Sequence, residues 1–237
     1  MYLSVVIPSY NEEKRLPQTL QEIRPYLDSK GYDYEVMIVD DGSADRTVAL
    51  CQEAAKTWKQ LRILSGFGHQ GKGACVKRGG LEAAGENILV MDADHATPIE
   101  AVDFFLPHRS TCEVVVGVRS FCGQEGASGK GRRIIGLIQQ LMAHIIVFKH
   151  SVADSQCGFK LFSRAAAQKI FSRMQIKGGM YDVEIFLITQ KLNIPVYSQP
   201  VRWVNKEGST INIVRCVFMD PFSLVIIRLF ELLGKYN

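Results

Sequence analysis

Short apolar runs alternate with helix-period segments through the first half of the chain, and each run ends in a polar cluster. Leu3-Ser4-Val5-Val6-Ile7, Tyr34 to Val39, Leu61 to Leu64, Ile88 to Met91 and Val114 to Val118 read as buried strands. Arg15 to Tyr26, Ala44 to Trp58, Gly73 to Ala84 and Ile99 to Pro107 read as the helices between them, the first interrupted late by Pro25. Apolar strands joined by helices build a mostly parallel, doubly wound sheet flanked by helices, so the expected class is α/β with a Rossmann-like centre. Such a sheet binds ligands outside the carboxyl ends of its strands. Pro8-Ser9-Tyr10-Asn11-Glu12, Asp40-Asp41-Gly42-Ser43, Asp92-Ala93-Asp94 and Gly117-Val118-Arg119 all fall at such ends.

After Arg119 the character changes. Ser120 to Gly131 carries Gly123, Gly126, Gly129 and Gly131 among Ser, Gln and Lys, the composition of a mobile loop. Ile134 to Phe148 has apolar residues at 134, 137, 138, 141, 142, 145 and 148, a helical stripe. A loop over Asp154 to Lys160, helices near 164–172 and 182–192, a strand from Val196 to Val204 and an apolar helix from Phe218 to Leu233 complete the reading. No internal repeat or linker divides the chain, so one domain over 1–237 is expected.

Composition bounds the function. With 237 residues, 47% hydrophobic and 22% charged, the chain can bury a sizeable core. A net charge of +4 is too mild to argue for nucleic acid, yet suits an anionic substrate or a membrane surface. The six cysteines form no CxxC pair and no zinc spacing, which fits a reducing compartment without a structural metal. No secretory signal is visible, and no stretch reaches the roughly 18 uncharged apolar residues of a spanning helix. The segment 134–148 approaches it but holds Gln139, Gln140 and His144. The expectation is a soluble or peripheral protein, the latter at the cytoplasmic face of a membrane.

Asp92-Ala93-Asp94 ends a buried strand with two carboxylates one residue apart, an arrangement able to grip a hard cation beside a diphosphate. Oxygen ligands suit Mg²⁺ or Mn²⁺. Glu12 and Asp41 can accept hydrogen bonds from a ribose or a base N–H, with Tyr10 as a ring to pack against; helix capping is the competing role. Gly71-Lys72-Gly73 can bring a Lys and helix N–H groups to a diphosphate, or form a plain β–α turn. Arg119, Lys130, Arg132 and Arg133 flank or occupy the glycine-rich loop, where arginines can bind phosphate. A basic loop leading into an apolar stripe can meet a lipid phosphate, although the stripe can equally pack into the core. Asp154, Asp182 and Glu184 are the remaining acids in apolar context, one of which could act as a base. The histidines are scattered, and no Ser/His/Asp or Cys/His arrangement stands out.

Ser4 to Glu12, Val39 to Asp45 and Asp92-Ala93-Asp94 resemble the family 2 glycosyltransferases of the GT-A fold. Gly71-Lys72-Gly73, Asp92 to Pro98, Asp154 to Phe162 and Tyr181-Asp182-Val183-Glu184 resemble, within them, the dolichyl-phosphate (polyprenyl-phosphate) β-glucosyltransferases, and the likeness runs from Leu3 to about Leu233. The resemblance implies inverting transfer of glucose from UDP-glucose to a polyprenyl phosphate with Mg²⁺ or Mn²⁺. By position it implies that Pro8, Tyr10, Glu12, Asp41 and Lys72 hold the nucleotide sugar and that Asp92, Ala93 and Asp94 hold metal and diphosphate. Arg119 would face the phosphates, and Arg119, Asp94 and Asp154 would carry the chemistry. Arg132, Arg133 and Lys160 would meet the acceptor phosphate, with Asp182 and Glu184 orienting sugar or acceptor. Residues 1–119 would form the nucleotide-binding half, and 120–237 the acceptor-binding half with amphipathic helices at a membrane surface. Two positions depart from the family: the N-terminal membrane helix of the eukaryotic members has no counterpart, and their Gly-Ser-Lys appears as Gly208-Ser209-Thr210, with Lys206 and Arg202 nearby. Two other functions share part of the pattern: a polyprenyl-phosphate mannosyltransferase using GDP-mannose, and a catalytically silent relative that binds lipid or a partner.

Overall fold

The computed structural model describes residues 1–119, 154–204 and 213–236. The glycine-rich loop, the 134–148 stripe, Lys130, Arg132, Arg133, Lys206 and Gly208-Ser209-Thr210 lie outside the described residues.

Seven strands form one sheet: β1 (Leu3–Ser9), β2 (Tyr34–Asp40), β3 (Leu61–Leu64), β4 (Asn87–Val90), β5 (Val114–Arg119), β6 (Lys160–Ser163) and β7 (Val196–Val201). Their spatial order is β3-β2-β1-β4-β6-β5-β7. All run parallel except β6, which is antiparallel to both neighbours. The α/β, mostly parallel expectation therefore stands. The loop expected over Asp154 to Lys160 ends in β6, a strand of four residues. Inserted between β4 and β5, it finds hydrogen-bond partners on both edges, a long-range opportunity that its own short sequence does not advertise.

Successive strand residues serve opposite faces. On one face Val6, Val39, Val90, Val116 and Phe162 pack with α3 (Lys72–Glu82), α5 (Arg164–Arg173) and α6 (Tyr181–Lys191). On the other, Val5, Ile7, Ile38, Leu89 and Leu161 pack with α1 (Leu16–Asp28). α1 buries Leu16, Thr19, Leu20, Ile23 and Leu27, a stripe that spans Pro25, so the helix continues through the proline to Asp28. The second helix, α2, is shorter than its apolar pattern suggests, covering only Thr47–Ala55. Its start is delayed because Asp40 accepts from the Gly42 and Ser43 N–H groups, and Asp45 from that of Thr47. Trp58 is withdrawn at the other end, buried with its indole N–H donated to Tyr34 at 2.9 Å.

Residues 99–110 form a short α4 (Val102–Phe105) between two 3₁₀ turns. The last strand ends at Val201, although Val204 N–H still reaches the Ala96 carbonyl at 2.8 Å. The closing helix, α7 (Ile213–Leu232), starts earlier than its apolar run indicates.

Candidate active site

The register places the polar strand ends side by side. Ser9 pairs with Asp40, and Val90 and Val116 both lie opposite Lys160. The ends of β1, β2, β4 and β5 therefore share one rim with the start of β6. The β1 and β2 ends are laced together: the Asn11 N–H donates to Ser43 Oγ at 2.9 Å, and the Ala44 N–H donates to Asn11 Oδ1 at 2.9 Å. Asn11 adopts φ 53 to do so, a left-handed backbone that asparagine tolerates.

The turn after β4 is built by partners far away in sequence. Thr19 donates to the Ala93 carbonyl at 2.8 Å, which ties the buried Ala93 to α1. His95, at φ 54, places Nδ1 2.6 Å from Glu22 Oε2, and its Nε2 accepts the Ile99 N–H at 2.8 Å. Nε2 is thus the unprotonated nitrogen and Nδ1 the donor. These ties hold Asp92 and Asp94 on a fixed loop. Gly158 comes against Asp92 so closely that a Cβ there would sit 2.2 Å from Oδ2.

The two carboxylates are electrostatically unequal. Lys72 donates to Asp92 Oδ1 at 2.5 Å. Burial pushes Asp92 up, but Lys72 first, then Lys160 and Arg119, outweigh it and hold the group below the ordinary carboxylate range. For Asp94 burial is reinforced by the like charge of Asp92. The Ala96 N–H at 3.0 Å, Arg15 and Lys72 do not offset this, so the group titrates above its ordinary value. A cation between the two would relieve that repulsion, and phosphate oxygens could complete its shell, so the donor set fits a divalent ion bound together with a diphosphate. Among the described residues no third His, Cys, Asp or Glu joins them.

Cations line the rest of the rim. Arg119 holds Asp154 through both guanidinium and backbone: Nε to Oδ2 at 2.7 Å, Nη2 to Oδ1 at 2.9 Å, and the N–H to Oδ2 at 3.2 Å. Burial opposes ionisation of Asp154, but Arg119 reverses the balance and depresses it. Asp154 therefore positions Arg119 and is engaged on both oxygens.

Two residues behave differently from expectation. Lys160 is only 1% exposed, donating to Asp182 Oδ1 at 2.6 Å and to the Cys157 carbonyl. It is a buried counter-ion, not an open cation for an acceptor phosphate, because an unpaired charge at that depth would be costly. Glu184 points away from the rim. Its carboxylate accepts from the Gln175 and Ile176 N–H groups and from the Tyr236 hydroxyl at 2.8 Å. It ties α6 to the segment before it and to the chain end, and it does not join the sugar-orienting group. Asp182 does remain at the rim with Lys160.

The nucleotide candidates fall into two groups. Pro8 is buried within β1, and Tyr10 is exposed just beyond it. Glu12 is occupied: Arg15 grips both its oxygens, Nε to Oε2 at 2.7 Å, and reaches towards Asp94 at 3.9 Å. Asp41 accepts the Gln70 N–H at 2.7 Å and the Gly71 N–H at 2.9 Å. Gly71 has φ 110, and a Cβ on it would lie 2.5 Å from the Lys177 carbonyl, so glycine is required there. That turn sets Lys72 at the start of α3, facing Asp92. Arg15, Thr19 and His69 carry no motif of their own, and His95 and Gly158, though inside runs that carry the resemblance, show what they do only through contacts with distant residues.

Residues 4–171 match the model of "Glycosyl transferase family 2". A dolichyl-phosphate beta-glucosyltransferase of Dictyostelium discoideum is 36% identical over 240 residues, covering 94% of this chain and 70% of that protein. The one of Homo sapiens is 32% identical, covering 99% and 77%. Among solved structures, glucosyl-3-phosphoglycerate synthase from Mycobacterium tuberculosis in complex with Mn²⁺, UDP and phosphoglyceric acid superposes with a TM-score of 0.69 at 18% identity, covering 100% of this chain and 78% of that one. At that identity the likeness speaks for the fold.

Proposed function

The chain belongs to glycosyl transferase family 2, and from that we propose that it transfers glucose, with inversion, from UDP-glucose to a polyprenyl (dolichyl-type) phosphate. The observation that carries the reading is that its relatives over nearly the whole chain are dolichyl-phosphate beta-glucosyltransferases. The rim supports it by setting two carboxylates among several cations, the requirement of a site that releases a diphosphate.

An oxygen of the lipid phosphate attacks the anomeric carbon from the side opposite UDP. The bond from that carbon to the acceptor oxygen forms while the bond to the β-phosphate oxygen breaks, and its electron pair leaves with UDP. The acceptor is already anionic near neutral pH, so no strong general base is needed, and stabilising the departing diphosphate dominates. Lys72 and Arg119 are placed for that task, with Asp154 fixing the Arg119 fork. Asp92 and Asp94 would hold Mg²⁺ or Mn²⁺, which when bound neutralises charge on the diphosphate. Tyr10 and Asp41 hold the base against the wall made by Pro8, Glu12 braces Arg15 beside Asp94, and Asp182 with its counter-ion Lys160 orients the glucose. Arg132 and Arg133 meet the acceptor phosphate. Residues 1–119 thus serve the donor and 120–237 the acceptor.

A lipid acceptor places the reaction at a membrane surface, at the cytoplasmic face and with the protein peripheral to it. Among the described residues no helix is long and apolar enough to cross a membrane. A membrane contact would use the exposed apolar face of α7.

The test is one assay with polyprenyl phosphate, Mn²⁺ and, in parallel, labelled UDP-glucose, UDP-galactose, UDP-N-acetylglucosamine and GDP-mannose. Product lipid is expected with UDP-glucose; no product with any donor would refute the function.

A further inference from the structure

Asp41 has no spare capacity for a ligand in this state. Oδ1 accepts the Gln70 N–H at 2.7 Å and the Gly71 N–H at 2.9 Å, while Oδ2 lies 2.9 Å from the Gly71 N and 2.9 Å from His69 Nδ1. The three backbone contacts are fixed, because Gly71 is wedged against the Lys177 carbonyl. Of the side chains at Asp41, the Cys75 thiol is buried, whereas His69 is 49% exposed and free to leave. The same imidazole lies over Tyr10, with ring centroids 4.3 Å apart and planes 32° from parallel.

A flat ring on Tyr10 with a ring nitrogen 2.9 Å from Asp41 stands where a uracil ring would place its own N–H. We propose that His69 is a stand-in for the nucleobase: it fills the base position in the empty enzyme and must rotate out before the donor can bind. This inference rests on the reading of Tyr10 and Asp41 as the nucleoside site. The backbone need not move, since the Gly68–His69 peptide is seated on Gly42, where a Cβ would come within 2.9 Å of it. Side-chain rotation into solvent is sufficient, and the displaced contact is a single half-exposed one, so the competition is modest in size. His69 thereby sets donor affinity: it keeps Asp41 and Tyr10 assembled without a ligand, at a cost to whatever base replaces it.

The competition acts on the base alone, which makes it separable from diphosphate binding. Calorimetric titrations in Mn²⁺ would compare UDP and pyrophosphate on the wild type, His69→Ala and His69→Gln. The expected result is UDP binding about fivefold tighter to His69→Ala, the effect of removing one exposed polar contact that the ligand must replace. His69→Gln, which keeps a donor but no ring, should fall between, and pyrophosphate should bind all three alike. Equal or weaker UDP binding to His69→Ala would overturn the proposal, as would a pyrophosphate affinity that changes in step with UDP. If UDP fails to bind the wild type while pyrophosphate binds, the nucleoside reading itself fails, and this inference with it.

Discussion

Gly158 is the residue on which the carboxylate pair depends most directly. It carries no charge and belongs to no acidic motif, yet it leaves the space that Asp92 occupies. A Cβ at 158 would sit within 2.5 Å of all three carboxyl atoms of Asp92. The side chain of Asp92 must then turn, breaking its 2.5 Å contact with Lys72 and its spacing from Asp94. Gly158→Ala should reduce kcat/KM about 10²-fold, the usual cost of misplacing a reacting group by an ångström. The melting temperature should fall only slightly, because the lost Lys72–Asp92 pair is partly exposed and the backbone at 158 is not in the left-handed region. Steady-state kinetics beside a thermal melt decide it, and normal turnover would show that Asp92 need not be held there. Asp92 and Asp94 are legible in the sequence because they end an apolar run; the parts played by Gly158, His95 and Thr19 are not. Each acts across more than 60 residues of chain or through a contact distance, and neither composition nor periodicity encodes such a distance.

Elements position what residues supply, and β5 shows how. Its last residue, Arg119, pairs with Asp154 ahead of β6, which fixes the Arg119 guanidinium at the rim. Burial raises the Asp154 pKa, but the Arg119 hydrogen bond and charge, helped by the Arg119 and Gln156 N–H groups, leave it depressed. A depressed carboxyl binds protons less well in the folded state than in the unfolded one. Its contribution to stability is therefore complete above the ordinary carboxylate range and is lost as pH falls through the folded value. Asp154→Asn should cost about 2 kcal/mol near neutral pH, a figure moderated by the partial exposure of Arg119. The gap between variant and wild type should close under acid. Denaturant melts from pH 7 down to the acid limit measure this, and a gap constant with pH would mean the pair contributes no ionic term. The strands themselves were easy to anticipate, since β1, β2, β4 and β5 are β-branched runs flanked by polar residues. β6 was not. Four residues beginning with a buried lysine look like a loop until Asp182 is found beside them.

At the scale of the whole molecule, the sheet divides the labour between its rim and its outer layer. The rim gathers charge, while α7 closes the α3/α6 face with Leu224 and Ile227 and shows its other side outward. On that side Phe222, Val225, Leu229 and Leu232, with Leu233 just past the helix end, are between 51% and 70% exposed. Their spacing of three or four residues makes one continuous stripe, more apolar surface than a helix facing only water would retain. The helix is tied from behind to α6, by Lys191 on Glu231 and, just past the helix end, by Tyr236 on Glu184. For an enzyme proposed to act on a lipid phosphate, a membrane interface is the occupant that fits. The stripe would lie in the headgroup boundary while the rim meets the phosphate. Phe222→Asp replaces an aromatic ring that would insert into the membrane with a charge, removing roughly 2 kcal/mol of transfer energy and lowering the partition coefficient more than tenfold. Flotation on vesicles with and without anionic lipid should show the wild type rising with the vesicles and Phe222→Asp largely left behind. Because the side chain is 62% exposed, the melting temperature should be unchanged. Activity on a water-soluble short-chain polyprenyl phosphate should also persist while activity on vesicle-borne acceptor falls. Equal flotation of the two proteins would assign the stripe to a protein contact instead.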